Sequence, residues 1–547
     1  MNCQEEVNVI LFTSFCGPGY FVAPPIGLYR IKFVLECHNI TTVVWDRSIE
    51  DEKTLEELII KNNFNILGFS VSHHYMLEDL NFLWKVRKTI RSSGKPFISV
   101  AGGHEASMNC REWLENGIDV VLNGFAEESM LNFCINIKNN SFSTSYFKLL
   151  KDVDGYAFIS ENNELIEYPK KKLTQNDFRK YSYEIMLKLR IPFDKYWNKI
   201  KSSSEYALNK FNKSTFKVKN VRLYTISHCH RGCGFCASQS FIDISQKSTC
   251  PIFMLTAQEV LRLVIFYVNE IGAESFMIND DDFPIGNKKG ISRLKEFCSL
   301  VIKAKQKQVI PENILFNCQA RIQDFVIEDN QSNRKIPDES LIKLLKKAGF
   351  QTIAVGVETF SDRLLQAPSI NKKGQNVQMS RDVLDALLHN QLVPQINIIL
   401  GIPETTVDDI FNSMDEAIEY LIKGCQVSLT PFLMTFPGAP LYSNNSYKKF
   451  MIETVNPETQ KKIKIAEHFT IHNPKINRIF EKLNNKKEKE INRIISKGLF
   501  SNNFIPKYMV ALATFIAVAK IFERNEWVVN IKKKLLKCPN SDMQMII

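Results

Sequence analysis

Apolar and polar positions alternate regularly along the first 140 residues. Apolar runs of four to six residues are each followed by a longer segment whose apolar positions recur at helical spacing. Short apolar runs bounded by polar turns predict buried strands, and strands that alternate with helices predict a parallel sheet covered by helices on both faces. The predicted strands are 7–12, 41–45, 66–71, 96–100 and 119–122.

Polar and glycine-rich turns follow the third, fourth and fifth of these strands. Ligands of parallel sheets bind beyond the carboxyl ends of the strands, and glycine lets the backbone approach a ligand closely. None of the turns forms GxGxxG, so a nicotinamide or flavin dinucleotide site is disfavoured. The candidate ligand contacts at this edge are Ser70, Ser72, Gly102, Gly103, Gly124 and Glu127.

A second alternating series begins at Val221, after a stretch with weaker patterning. Six strand–helix repeats over about 220 residues are typical of an incomplete parallel barrel. After Tyr442 the pattern predicts helices only. The barrel strands are predicted at 222–227, 275–279, 314–319, 352–356, 395–400 and 426–431. The expected organisation is a doubly wound, Rossmann-like α/β domain over 1–140, a connector over 141–218, a partial (β/α)6 barrel over 219–442 and a helical region over 443–547.

Composition supports a folded, water-soluble chain. Of the 547 residues, 44% are hydrophobic and 24% are charged, close to ordinary globular usage. The longest apolar run, 508–519, is shorter than the roughly 20 residues that span a bilayer. Glu5 and Glu6 precede the first apolar run, which is the wrong order of charges for a secretory signal. We therefore expect a cytoplasmic protein with no membrane partner.

The net charge of +11 is confined to one part of the chain. Residues 448–547 carry 20 Lys and Arg against 9 Asp and Glu, and the remainder is balanced. These charges are interleaved with apolar residues at helical spacing, which favours solvated faces of amphipathic helices over a nucleic-acid-binding tail.

Three of the thirteen cysteines lie within eight residues of one another, as Cys229, Cys233 and Cys236. They follow the first strand of the second series, where a barrel places an active-site loop. Three thiolates leave one iron of a 4Fe-4S cluster without a protein ligand, free to bind a substrate or cofactor. A zinc site is the alternative, with His228 or His230 as the fourth ligand.

The run CHRGCGFC, with Phe235 before the third cysteine, resembles the cluster loop of the radical S-adenosylmethionine (radical SAM) superfamily. In that family the open iron chelates the amino and carboxylate groups of SAM, and electron transfer then releases a 5′-deoxyadenosyl radical. The resemblance implies that the three cysteines are the cluster ligands and the catalytic residues.

Four further segments resemble this family in the same order. They are the NDDD turn at 279–282, the GVET run at 356–359, the ILGIPET run at 399–405 and the FPGAPLY run at 436–442, in which Ala439 replaces threonine. A helix cap is the alternative for the acidic turn, a capped turn is compatible with the ILGIPET run, and a surface charge is the alternative for Arg321. The SAM contacts that the resemblance implies are Phe235, Asp280, Asp281, Arg321, Glu358, Ile399, Gly401 and Glu404.

The front domain resembles the cobalamin-binding domain that precedes one large class of radical SAM enzymes. The resemblance rests on the PPIGL run at 24–28 and on the turns after the third, fourth and fifth strands. It implies that Ser70, Ser72, Gly102, Gly103, Gly124 and Glu127 contact cobalamin. The chain has no DxHxxG, so no histidine ligand to cobalt is expected, and a domain that has lost its cofactor is the alternative.

Together these resemblances imply a radical SAM enzyme that uses a 4Fe-4S cluster, SAM and cobalamin. The expected reaction is methylation of an unactivated carbon in a small-molecule or peptide substrate, with electrons from a flavodoxin or ferredoxin. Radical rearrangement, cyclisation or ring contraction is the alternative outcome, and a non-catalytic SAM or cobalamin sensor is a second alternative. A methylthiotransferase would need another cysteine set in the front domain, which the scattered cysteines there do not resemble.

Overall fold

A computed structural model describes residues 6–15, 22–142, 144–202, 217–329, 334–496 and 507–536. The N-terminal charge pattern at Glu5 lies outside these residues, as do residues 497–506 and 537–547 of the C-terminal region. Within the described part, no helix combines the length and the apolar character that crossing a membrane requires.

The first domain is built around a seven-stranded sheet in the order β2-β1-β3-β4-β5-β6-β7. Its first five strands are parallel, and all except the edge strand β2 are almost entirely buried, as apolar runs covered by helices on both faces should be. The strand order reverses between β1 and β3, and in this type of fold ligands bind at that switch point. The strands are β1 (Asn8–Phe12), β2 (Thr41–Trp45), β3 (Ile66–Ser70), β4 (Ile98–Gly102), β5 (Val120–Leu122), β6 (Tyr156–Ile159) and β7 (Leu165–Tyr168).

The predicted domain boundary at residue 140 is wrong, because the sheet continues through β6 and β7. Val121 of β5 pairs antiparallel with Ala157 of β6, and Ala157 and Phe158 are fully enclosed. These two strands fall inside the expected connector 141–218. A four-residue strand carries little periodicity of its own, so its pairing partner decides its structure.

The second domain contains the six parallel strands expected of a partial barrel, in the order β15-β14-β13-β10-β9-β8. Aromatic side chains fill its interior, and the rings of Phe276 and Phe316 stack with centroids 5.7 Å apart. A small antiparallel hairpin, β11 with β12, is inserted after β10. The strands are β8 (Asn220–Leu223), β9 (Ser275–Ile278), β10 (Leu315–Ala320), β11 (Val326–Asp329), β12 (Arg334–Pro337), β13 (Phe350–Glu358), β14 (Val393–Gly401) and β15 (Gln426–Phe432).

The region after residue 442 was expected to be helical throughout, and its first part is instead an antiparallel hairpin of β16 (Lys449–Val455) and β17 (Lys462–Phe469). Ile463 and Ile465 of β17 pack into the core of the first domain, while the alternate lysines face solvent. The period-two pattern of KIKIA is typical of such a half-buried strand. The hairpin therefore ties the first domain to the barrel, and the helices follow it.

Helices cover both sheets and form the C-terminal region. They are α1 (Ile26–Glu36), α2 (Leu55–Lys61), α3 (Met76–Ser92), α4 (His104–Met108), α5 (Cys110–Glu115), α6 (Glu127–Asn139), α7 (Tyr146–Leu149), α8 (Gln175–Arg179), α9 (Phe193–Lys201), α10 (Ser240–Gln246), α11 (Ala257–Phe266), α12 (Lys288–Gln306), α13 (Glu339–Ala348), α14 (Asp362–Gln366), α15 (Val377–His389), α16 (Val407–Lys423), α17 (Pro474–Ser496), α18 (Lys507–Ile521) and α19 (Asn525–Leu536). Short 3₁₀ or π turns lie at Glu52–Thr54, His73–Tyr75, Lys180–Glu184, Tyr267–Ile271 and Ile322–Phe325.

Candidate functional site

A cavity of about 470 Å³ lies at the carboxyl edge of the first sheet and is closed on its other side by the barrel. The loops after β1, β3, β4 and β5 form one wall, and residues 222–227 at the end of β8 form part of the other. The ligand edge of the sheet therefore faces the end of β8, where the cysteine loop begins. The cavity is lined by every residue predicted to contact cobalamin, namely Ser70, Ser72, Gly102, Gly103, Gly124 and Glu127.

The turn after β4 brings the backbone to the cavity wall. Gly103 has a φ of +94°, which side chains other than glycine rarely adopt. His104, the next residue, stacks on Phe241 of α10 with ring centroids 5.0 Å apart. This contact joins the two domains beside the cavity, so His104 is engaged with protein.

The three cysteines lie in the loop between β8 and α10, each half-buried. Burial, with smaller contributions from Asp282, Asp281 and the thiol of Cys236, raises the pKa of Cys229 to about 12. Burial likewise raises the pKa of Cys236, with a smaller contribution from Cys233. The thiols are thus close enough for their charges to interact. Among the described His, Cys, Asp and Glu side chains, no three are grouped as ligands of a single metal ion.

The cysteine loop is held by backbone contacts from two other segments of the barrel. The Gly234 amide donates to Ile370 O at 3.2 Å, and the Leu441 amide donates to Gly234 O at 3.0 Å. Asn371 Nδ2 donates to Gly232 O at 2.6 Å. The segment 436–442 therefore supports the loop directly.

The first two carboxylates of the acidic turn after β9 lie in different environments. Asp280 is buried and accepts hydrogen bonds from the amides of Thr225 (2.6 Å) and Ile226 (3.1 Å), so it holds the strand that leads into the cysteine loop. These bonds give Asp280 a structural role, and its contact with SAM stays a prediction. Asp281 is solvent-accessible, hydrogen-bonds Ser238 and faces His104 across the domain boundary. Asp281 therefore remains available to a ligand.

The third carboxylate, Asp282, belongs to a buried cluster with Asp324 and Arg231. Arg231, from the cysteine loop, lies 3.4 Å from Asp282 Oδ2 and 3.6 Å from Asp324 Oδ1, and its Nη2 donates to Ile285 O at 2.7 Å. Burial and the hydrogen bond between the two carboxyls hold the pKa of Asp324 well above its usual range. The cluster anchors the cysteine loop to the ends of β9 and β10.

Two predicted SAM contacts, Arg321 and Glu358, lie at the ends of barrel strands. Arg321 Nε is buried and makes no hydrogen bond within the described chain, which leaves it able to pair with a ligand carboxylate. Glu358 has a φ of +65° at an irregularity between β13 and β14, and its Oε1 lies 2.7 Å from Lys372 Nζ. Lys372 is almost fully buried, and sequence reasoning missed it because it belongs to no motif.

The remaining predicted contacts belong to β14 and the cysteine loop. Ile399 is nearly buried, and at Gly401 a Cβ would overlap the carbonyl oxygen of Pro431 on the neighbouring strand. Glu404 accepts hydrogen bonds from Ser369 at 2.6 Å and from Tyr447 at 2.9 Å, so both of its oxygens are engaged by protein. Phe235 is partly buried and packs against the main core. Glu404 therefore supports the barrel, and its predicted role as a SAM contact is not what its geometry favours.

Sequence comparisons agree with this architecture. Residues 223–417 match the family model of the Radical SAM superfamily. The chain is 23% identical over 428 residues to an uncharacterized methyltransferase of Pyrococcus horikoshii, covering 77% of this chain and 78% of the relative.

Two solved structures share the fold of most of the chain. OxsB, a cobalamin-dependent SAM radical enzyme solved with aqua-cobalamin and SAM bound, matches with a TM-score of 0.63 and 13% identity, over 99% of this chain and 74% of that one. TsrM, a radical SAM methyltransferase from Kitasatospora setae solved with its tryptophan substrate and a SAM analogue, matches with a TM-score of 0.56 and 14% identity, over 79% and 75%. Residues 223–417 therefore form a radical SAM domain, and the chain shares its fold with these two solved enzymes.

Proposed function

We propose that this protein is a radical SAM methyltransferase that binds a 4Fe-4S cluster, SAM and cobalamin, and that it methylates an unactivated carbon of a small-molecule or peptide substrate. One observation carries the proposal: the cavity at the switch point of the first sheet is also lined by Ile226 and Ser227, which lead directly into the three-cysteine loop. Two cofactor sites that face each other are what a reaction shared between two cofactors requires.

The residues present suit both cofactors. Three cysteines share one loop whose backbone is anchored at Gly232 and Gly234, and three cysteines are the number that leaves one iron of a cluster open to SAM. The cavity lining contains no histidine among the described residues, which agrees with cobalamin bound without a histidine ligand to cobalt. When bound, the cluster with SAM supplies a 5′-deoxyadenosyl radical, and cobalamin supplies a transferable methyl group.

The chain's own part in this chemistry is to position the reactants and to exclude water. Arg321, with a buried Nε that lacks a protein partner, can hold the carboxylate of SAM, and Asp281 can hold its ammonium group. The domain contact between His104 and Phe241 closes one side of the cleft. Closure on this side shields a carbon radical from solvent.

Anaerobic reconstitution tests the cofactor assignment. Iron, sulfide and corrinoid should all be retained by the purified full chain, and reduction in the presence of SAM should release 5′-deoxyadenosine. Cys233→Ala should abolish that release, whereas Cys37→Ala, at an exposed cysteine outside the loop, should leave it unchanged. Undiminished release from Cys233→Ala contradicts the cluster assignment, and iron without corrinoid contradicts the role of cobalamin.

Product analysis then separates methyl transfer from the other radical outcomes. A methyltransferase of this kind forms S-adenosylhomocysteine together with 5′-deoxyadenosine, because one SAM donates the methyl group and another yields the radical. SAM labelled with deuterium in its methyl group should transfer that label to the substrate. Release of 5′-deoxyadenosine with substrate turnover but without S-adenosylhomocysteine would favour rearrangement or cyclisation.

A further inference from the structure

Asp79 of α3 is a buried carboxylate that joins three loops at the ligand edge of the first sheet. From the loop after β1 it accepts hydrogen bonds from Ser14 Oγ at 2.6 Å and from the Phe15 amide at 2.8 Å. From the loop after β2 it binds Arg47 Nη1 at 2.8 Å, and from the loop after β3 it accepts from the Ser72 amide at 3.1 Å.

These loops form the cavity wall on both sides of the switch point. Ser14, Phe15 and Ser72 line the cavity, whereas Asp79 itself lies behind them. Arg47 is fixed as well, because its guanidinium lies 4.1 Å from the centre of the Phe82 ring. The shape of the wall therefore depends on a single side chain that the ligand does not contact.

Burying a carboxylate at this position costs desolvation free energy, which argues that Asp79 has a role other than stabilising the fold. Burial raises the pKa of Asp79 to about 6 despite its four hydrogen-bonding partners. An apolar side chain of the same size would avoid this desolvation cost, since buried ion pairs often add little net stability. What an apolar residue cannot do is accept hydrogen bonds from three loops at once.

We propose that Asp79 is a positioning residue for the cofactor cavity: it holds the loops after β1, β2 and β3 in the shape that admits a corrinoid. This inference rests on the proposed function, since the ligand is taken to be cobalamin. Asp79→Asn keeps the size of the side chain but turns one acceptor oxygen into an N–H donor that faces two donors. The substitution removes the oxygen that accepts from Ser14 and Ser72, or the oxygen that accepts from Phe15 and Arg47. In either case the loops must shift.

Asp119 provides a matched control at the opposite edge of the same sheet. It accepts hydrogen bonds from the Ser99 amide at 2.8 Å, from the Ser99 hydroxyl and from Arg87 at 3.1 Å. This set of donors resembles that of Asp79, but Asp119 precedes β5 and does not line the cavity. Asp119→Asn should therefore lower the Tm without changing the affinity for cobalamin.

The experiment measures aquacobalamin binding to the reconstituted full chain by absorbance, with iron content and 5′-deoxyadenosine release recorded on the same samples. Asp79→Asn should raise the Kd for aquacobalamin about tenfold or more, the effect of losing two hydrogen bonds to a charged group. Its iron content and its 5′-deoxyadenosine release should remain within about twofold of wild type, because both depend on the cysteine loop of the barrel, which is distant from Asp79 in the chain. Should Asp79→Asn fold poorly, Ser14→Ala removes one of the same hydrogen bonds and should raise the Kd by a smaller factor.

Each outcome separates this inference from the proposed function. Unchanged aquacobalamin affinity in Asp79→Asn, or an equal loss in Asp119→Asn, overturns the positioning role while the corrinoid site stands. Failure of the wild-type chain to bind aquacobalamin overturns the corrinoid part of the proposed function and this inference with it.

Discussion

Gly234 lies between the second and third cysteines of the cluster loop, where a side chain has no room. A Cβ at this position would overlap the carbonyl oxygen of Pro368 and lie 2.9 Å from that of Ser369. Both are backbone atoms, so no flexible side chain can move away. Carbon–oxygen contacts are comfortable only from about 3.3 Å, so Gly234→Ala must displace the loop by on the order of 1 Å.

That displacement predicts a large loss of activity and a moderate loss of stability. Forcing a methyl group into a packed site costs about 1–3 kcal/mol, and a misplacement of about 1 Å near reacting groups costs roughly 100-fold in rate. We therefore expect Gly234→Ala to remain folded, to retain less iron after anaerobic reconstitution and to release 5′-deoxyadenosine on the order of 100-fold more slowly.

Gly232→Ala is the control, because it makes the same substitution two residues earlier in the same loop. There the nearest atoms to a Cβ are the side-chain amides of Asn371 and Gln239, both at 3.9 Å, which is ordinary contact. Iron content and 5′-deoxyadenosine release should match those of the wild type. The reasoning would be refuted if Gly234→Ala were as active as Gly232→Ala, or if the two substitutions reduced activity equally.

Two further predictions concern buried charges of the barrel. Burial raises the pKa of Asp280 to about 6, which is above the pKa of an Asp in the unfolded chain. The folded chain therefore holds this proton more tightly than the unfolded chain does. As a result, the free energy of unfolding falls as the pH rises from about 4 to about 6. Asp280→Asn lacks this titration, so the Tm of the wild type minus that of the variant should fall over this pH range. A difference in Tm that stays constant with pH would contradict the raised pKa of Asp280. Lys372→Met leaves Glu358 without the ammonium group 2.7 Å away and should lower the free energy of unfolding in urea by about 3–5 kcal/mol. The double variant Lys372→Met/Glu358→Gln should recover most of that loss, and a double variant as unstable as the single one would argue against the ion pair.

Most strands of the two parallel sheets could be predicted from the sequence. Runs such as 66–71 and 275–279 are apolar because both faces of these strands are covered, and that signal is local. The two antiparallel hairpins could not be predicted in the same way. β6 with β7 completes the first sheet, and β16 with β17 binds the first domain, so their structure depends on partners far away in the chain.

The three consecutive aspartates show which features of the candidate site the sequence predicts and which depend on the tertiary structure. The chemistry of Asp280, Asp281 and Asp282 is identical, and their position after a barrel strand indicates only that carboxylates gather there. The fold gives them separate surroundings: Asp280 holds the end of β8, Asp281 is exposed beside Ser238, and Asp282 joins Asp324. Side chains that are neighbours in sequence point in different directions at the end of a strand, and local pattern does not encode which partner each one meets.

What the sequence alone determined is the order of the elements, the two parallel sheets and the spacing of the three cysteines. These are local properties, set by hydrophobic periodicity and by the number of residues between ligands. The tertiary structure decided that the ligand edge of the first sheet faces the barrel, that Asp79 shapes that edge, and that Lys372 meets Glu358. Those features depend on contacts between segments distant along the chain, and such contacts form only when the whole core packs.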